Sequence, residues 1–408
     1  MRIAVFTPYL PYPPDTGGKI RSYYLLRALT ERFDVDLYSV FYKPPSPENV
    51  NALQRACRRV TLFRLKKTWR TRDRVRRALA PLPRLVDYFH TAESLAQARQ
   101  HLRDTAYDLI VADEICMTPY AELAPEIPRI VIRHKVDHVH YWEVATAQPW
   151  GLEKLLGLVE AKKLHRYERK KMPFFQAYVA CSEQDASIID RDAPGIPHLV
   201  IPNGADLSKF TPSGRKRAGD PTLLYVGSMN YYPNIDAMLY FFHEMYPSIR
   251  EAVPNVRVWI VGHAPPPKIL ELGNLPGVTV TGTVPDPWPY YDQADVFIVP
   301  LRLGGGTRLK IIEAMAMGLP VVSTTVGAEG VEIRPGQNIL IADDPESFVA
   351  AVLRLLTDRH LAKRIAEEGR RLAERYDWSE LTRPYADLAE QVVEEWKEKR
   401  EQCESSVS

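Results

Sequence analysis

Cysteine is scarce in this chain of 408 residues: Cys57, Cys116, Cys181 and Cys403 lie far apart with no CxxC spacing. That excludes a zinc cage or a disulfide framework as the organising device and points to thiols in a reducing compartment. Long apolar runs are missing as well. No window approaches the roughly 20 apolar residues of a spanning helix. The opening run MRIAVFT is cut by Pro8, Pro11, Pro13 and Pro14, too early for a signal-peptide core. The expected location is cytoplasmic, in solution or peripheral on the inner face of a membrane. Net charge is nearly absent, with 53 Lys and Arg against 51 Asp and Glu, so no nucleic-acid partner is expected. The stretch MRIAVFTPYLPYPPDTGG lacks a Gly-x-Gly-x-x-Gly turn, which makes a NAD enzyme a poor fit.

What is present is a globular composition, 45% apolar and 25% charged, in a chain long enough for two or three domains. Short apolar runs recur with helical patterns between them: 3–7, 35–40, 107–113, 129–134 and 176–182. Regular periodicity vanishes around 201–220, where Pro, Gly, Ser and charge take over, and a second series follows at 222–227, 256–262, 278–282, 295–300 and 320–324. Continuously apolar strands separated by helices predict parallel sheets covered on both faces. The fold class expected is therefore α/β, with two doubly wound, Rossmann-like domains (1–200 and 221–379, linker 201–220) facing a cleft. Ligands of such sheets bind beyond the carboxyl ends of the strands.

Function is most legible in VPLRLGGGTRLKIIEAMAMGLPVVSTTVG (299–327). Gly304, Gly305 and Gly306 precede a predicted helix that Gly318 and Pro320 terminate. Glycines let backbone N–H groups approach a ligand, and the helix N-terminus adds partial positive charge, so an anion site is expected. On a helical wheel Gly306, Lys310, Glu313 and Met317 share one face. Lys310 can neutralise a phosphate there, while Glu313, one turn on, accepts hydrogen bonds from vicinal hydroxyls. A diphosphate beside a ribose needs that pairing. The competing interpretation is a solvated i,i+3 ion pair between Lys310 and Glu313. Arg308 points away from Lys310 on the wheel.

At these residues the chain resembles the retaining glycosyltransferases of family 4, which have the GT-B fold. The resemblance runs from about residue 3 to 385 and includes IPNGAD (201–206), VGSMNYYPNIDAMLYF (226–241), VTGTVPD (280–286) and GAEGVEI (327–333). It implies transfer of a sugar from a UDP- or GDP-linked donor, bound mainly by the second domain, to a glycan, lipid-linked or small-molecule acceptor on the first. It also implies that a C-terminal helix over 380–402 crosses back to complete the first domain. Glu313 matches the second acid of the family's Glu-x7-Glu signature and so becomes the ribose ligand. The first acid falls at position 305, which is Gly305 here. The amides of Gly304, Gly305, Gly306 and Thr307 must then hold sugar and phosphate. The family's phosphate-binding Arg and Lys are also missing from 226–232, which leaves Lys310, with Arg308, as the cationic substitute. Gly227 joins the donor-binding set, and Val284 matches the backbone reader of the base.

The first half adds PPDTGGKIRS (13–22), where Gly17 and Gly18 either meet donor phosphate or acceptor through their amides, or form a tight left-handed turn into a helix. His134 ends a predicted strand where family members carry a His facing the donor sugar, so the catalytic set is His134, Lys310 and Glu313. His138 and His140 follow closely, but no HExxH-type Glu accompanies them, and no metal or other cofactor is expected. Residues 55–84 hold 12 Lys and Arg against Asp73 alone. With Leu62, Phe63, Leu65, Trp69, Val75, Leu79, Leu82, Leu85 and Phe89 interleaved nearby, this stretch is a candidate for peripheral contact with an anionic membrane, a solvated helix surface or an RNA patch. A nucleotide-sugar epimerase or hydrolase, and a noncatalytic binding subunit, are the alternatives of function.

Overall fold

The computed structural model describes residues 1–65, 80–214, 219–303 and 308–407, the side chains of 403–407 excepted. The chain divides into two compact units, Met1–Pro202 with Thr382–Ser408, and Asn203–Leu381.

The first unit contains seven strands: β1 (Arg2–Thr7), β2 (Asp34–Phe41), β3 (Arg59–Arg64), β4 (Leu109–Asp113), β5 (Arg129–Ile132), β6 (Ala177–Ala180) and β7 (His198–Val200). They form one sheet in the order β3-β2-β1-β4-β5-β6-β7, every pair parallel. All residues of β4, β5 and β6 are buried, which is why these runs are continuously apolar rather than alternating. The second unit repeats the plan with β8 (Thr222–Val226), β9 (Arg257–Val261), β10 (Val278–Gly282), β11 (Val296–Val299), β12 (Val321–Ser323) and β13 (Leu340–Ile341), in the order β10-β9-β8-β11-β12-β13. In each sheet the order of strand addition reverses once, between β1 and β4 and between β8 and β11. Those are the switch points at which such sheets bind ligands.

Three strands escaped the sequence reading, and all three are sheet edges: β3, β7 and β13. Edges are short or charged because only part of their surface meets the core. The case of β3 corrects the reading of the basic stretch. Phe63 and Leu65 are buried in the core, and Leu82, Leu85 and Phe89 pack against it, so these apolar side chains are not available to a membrane. Trp69, Val75 and Leu79 lie outside the described residues.

Among the helices, α1 (Gly17–Thr30) follows β1, while α2 (Asp137–Thr146), α3 (Leu152–Lys171) and α4 (Glu183–Asp192) surround β6 in sequence. In the second unit α5 (Tyr232–Tyr240) follows β8 and α6 (Leu309–Ala316) follows β11. The long α7 (Trp378–Val407) begins within the residues of the second unit and continues as those of the first. No helix among the described residues is long and apolar enough to cross a membrane.

A buried ion network fixes α2 and α3 to the end of β5. Arg133, 1% exposed, reaches Asp137 at 3.2 Å and Glu168 at 2.5 Å. Removing its charge strands two buried carboxylates. Arg133→Met is expected to destabilise the first unit by about 3–5 kcal/mol, seen as a lower urea midpoint; an unchanged midpoint would contradict the assignment.

Candidate active site

The second unit's site is assembled at the β8–β11 switch point around two glycines. Gly227 follows β8 directly, and its N–H donates to Val261 O at 2.9 Å. A Cβ on Gly262 would collide with the Gly227 carbonyl, and one on Gly227 would fall 2.7 Å from Lys310 Nζ and 3.0 Å from Asn234 Nδ2. The close approach of these two backbones is thus what lets Lys310 lie beneath the β8 loop.

Lys310 Nζ donates to Tyr225 Oη at 2.9 Å and to Asn234 Oδ1 at 3.1 Å, and sits 4.3 Å from the centre of the Tyr225 ring. Tyr225 Oη donates to Asn234 Oδ1 at 2.7 Å, and Asn234 Nδ2 to Ser228 O at 2.8 Å. The ammonium is thereby held from two sides, with a third N–H left for a ligand among the described residues. Burial, reinforced by the nearby Arg308 charge, pushes its pKa down to about 7. Glu313 accepts a hydrogen bond from Tyr291 Oη at 2.9 Å, and burial holds its carboxyl above the usual range. Lys310 and Glu313 are therefore engaged by different partners. The solvated ion pair is not what the structure contains.

Arg308 departs from the wheel. It occupies the N-cap of α6 with φ −87° and ψ 81°, outside helical values, so a helical projection misplaces it. It is 8% exposed, its guanidinium lies 3.5 Å from Val326 O, and its charge depresses Lys310. Val284 is half-buried beyond β10 and packs against the core. Gly304, Gly305, Gly306 and Thr307 lie outside the described residues.

The first unit has its own constellation at the β1–β4 switch point. Asp113 ends β4; one of its oxygens accepts from Ser22 Oγ at 2.5 Å and the other lies 2.7 Å from His134 Nε2. His134 Nδ1 is 3.8 Å from Glu114 Oε1. Burial opposes the His134 charge, but Asp113 and Glu114 outweigh it and raise the pKa, which favours imidazolium. Glu114 adopts φ 81°, a left-handed conformation strained for a residue with a side chain. Gly17 and Gly18 open α1 and neither has a positive φ; the left-handed turn reading is overturned, because the chain enters the helix without reversing hand. A Cβ on Gly17 would meet open space, whereas one on Gly18 would lie 2.6 Å from Tyr9 Oη and 3.8 Å from His134 Nδ1. The three histidines part company: His138 Nδ1 contacts Glu168 Oε2, and His140 is exposed.

Residues 16–209 match the family model described as Glycosyltransferase Family 4, and residues 220–358 match Glycosyl transferases group 1. The chain is a family 4-like glycosyltransferase. It is 21% identical over 366 residues to an uncharacterized 44.6 kDa protein in the cps region of Klebsiella pneumoniae, covering 86% of this chain and 90% of that one. It is 23% identical over 316 residues to the lipopolysaccharide core biosynthesis mannosyltransferase LpsB of Rhizobium meliloti, covering 66% and 87%. Sucrose-phosphate synthase from Thermosynechococcus elongatus shares the fold with a TM-score of 0.68 at 19% identity, over 96% of this chain and 99% of that one. Anabaena HepE, solved in complex with UDP and glucose, does so with a TM-score of 0.66 at 14% identity, over 96% and 100%. Both halves of this glycosyltransferase thus carry the GT-B plan of two Rossmann-like domains. Nothing in these relatives favours an epimerase, a hydrolase or a noncatalytic subunit.

Sequence reasoning missed Tyr225, Asn234 and Tyr291 in the second unit, and Tyr9, Ser22, Asp113 and Glu114 in the first. Asp113 carried a usable signal, an acid at the carboxyl end of the apolar run YDLIVAD. Tyr291 carried none, lying 22 positions from the carboxylate that it orients. Tyr291→Phe removes one hydrogen bond to Glu313, worth about 1–1.5 kcal/mol. The expected result is a roughly five- to tenfold higher donor KM with kcat little changed, measured by steady-state kinetics at saturating acceptor.

Proposed function

We propose that this glycosyltransferase moves a sugar, with retention of anomeric configuration, from a UDP- or GDP-linked donor to a glycan or lipid-linked acceptor of the cell envelope. The observation that carries the donor assignment is the enclosed Lys310 ammonium beneath the Gly227 loop, with Glu313 one turn along the same helix. An ammonium with a spare N–H suits a diphosphate, and a carboxylate oriented by Tyr291 suits the two hydroxyls of a ribose. HepE, crystallised with UDP and glucose, favours UDP. The mannosyltransferase LpsB favours an envelope acceptor.

As the glycosidic bond breaks, negative charge gathers on the leaving diphosphate and the anomeric carbon becomes oxocarbenium-like. A cation already in place stabilises the first charge without reorganisation, so Lys310 acts more on turnover than on ground-state binding. Arg308 supplies a second positive charge nearby. Attack from the face the diphosphate leaves lets a phosphate oxygen take the acceptor proton, so no second carboxylate is required as in glycoside hydrolases. With Lys310 serving the leaving group, the reaction is proposed to need no metal. His134, whose pKa Asp113 and Glu114 raise against burial, is the first unit's candidate to donate a hydrogen bond to a sugar hydroxyl.

The test begins with UDP-, GDP-, ADP- and CMP-sugars screened by calorimetry, then follows the best binder from pH 6 to 9. Lys310 is charged below about 7 and loses its proton above. Affinity should therefore be full at low pH and weaken up to about tenfold per unit above 7. Lys310→Ala should bind weakly with no such slope and lower turnover about 10²–10³-fold; near-normal turnover would remove the site. Nucleotide release that depends on acceptor supports transfer, and release without it indicates hydrolysis.

The proposal includes peripheral membrane contact through the basic stretch 55–84. Native protein should co-sediment with anionic liposomes and reversal of Arg70, Arg74 and Arg77 to Glu should abolish this; no binding by native protein ends the idea.

A further inference from the structure

Away from both switch points, three helices of the first unit converge on one cluster. His138 lies on α2, His165 on α3, and Asp192 is the last residue of α4. We propose that His138 Nε2, His165 Nε2 and Asp192 Oδ2 bind a divalent cation of the zinc class, a staple that ties these helices together.

The ligand atoms all lie within 4.8 Å of one another. Asp192 Oδ2 is 3.6 Å from His138 Nε2 and 3.0 Å from His165 Nε2. Tetrahedral zinc with bonds of about 2.0–2.2 Å separates its ligands by roughly 3.3–3.5 Å, so small side-chain shifts suffice. Two imidazoles and one carboxylate form a donor set suited to zinc, with water as the fourth ligand.

The hydrogen bonding around His138 points the same way. His138 Nδ1 contacts Glu168 Oε2, and Arg133 holds the other oxygen of that carboxylate at 2.5 Å. A carboxylate accepting from Nδ1 places the proton there, as second-shell carboxylates do for metal-bound histidines. Nε2 then presents a lone pair on the side of Asp192 Oδ2, 3.6 Å away, where both atoms can coordinate one cation. The two rings stack at 4.4 Å with an interplanar angle of 25°, so both Nε2 atoms converge on the same Asp192 oxygen. A metal bound there by two neutral rings would use both Nε2 lone pairs and the Asp192 oxygen together. The side chains are 13%, 40% and 16% exposed, so an ion can enter from solvent beside His165.

The site is distinct from the proposed donor chemistry, and its test needs no activity. Full-length protein, freed of any affinity tag and stripped with EDTA, is titrated with Zn²⁺ by calorimetry and with Co²⁺ by visible absorption. One saturable Zn²⁺ per chain, an intense tetrahedral Co²⁺ spectrum and a raised Tm are expected. His165→Gln and Asp192→Asn should each weaken binding at least about tenfold while leaving the metal-free Tm near that of the parent. His140→Gln, an exposed histidine on the same helix, should bind as the parent does. No saturable binding would overturn the proposal, as would equal affinity in all three variants. Should His165→Gln fail to fold, Asp192→Asn alone decides the outcome.

Discussion

The constraint on which the second unit's site depends is the enclosure of one ammonium group. Taking Lys310 out of water costs enough to bring its pKa down to about 7, so the fold must supply what water would have supplied. Tyr225 and Asn234 do so with two oxygens and a ring face. These partners come from β8 and from α5 just after it, while the lysine comes from the helix after β11. The site can exist only where β8 and β11 are neighbours, and the reversal of strand order provides that. Gly227 and Gly262 are the backbone counterpart of the same constraint, since side chains there would claim the space of the ammonium or of the loop above it.

The first unit uses the same topology for the opposite charge. Its switch point holds Asp113 and Glu114, and those acids raise the pKa of the His134 imidazole against the effect of burial. Ser22, on the first turns of α1, fixes one Asp113 oxygen and leaves the other for His134. One sheet order thus yields a lysine whose pKa is pushed down to about 7 and a histidine whose pKa is pushed up.

The doubly wound plan was legible because buried parallel strands such as LIVAD and RIVI are apolar on both faces. Lys310 and Glu313 were legible because glycines and a helix start mark an anion site. What stayed hidden were the partners. Asn234 and Tyr291 look like ordinary helix residues, and only tertiary packing reveals that their polar atoms meet Lys310 and Glu313. Arg308 was misplaced for a related reason: a wheel assumes helical φ and ψ, and the N-cap does not have them. The edge strand β3 was obscured because its arginines belong to a basic run that reads as surface.

The chain has glycine rather than an acid at position 305. A carboxylate at that point of the sequence would add a negative charge five residues before Lys310. Without it, the acid that supports the ammonium in the described site is Glu313, itself kept above its usual range by burial, and Arg308 pulls the other way. Lys310 is therefore under-compensated in the free protein. On the donor site proposed above, a bound diphosphate would bring negative charge to an enclosed ammonium and offset part of its burial cost. Donor binding and Lys310 protonation would then be coupled, because the same burial that depresses the lysine pKa raises the value of an anionic partner.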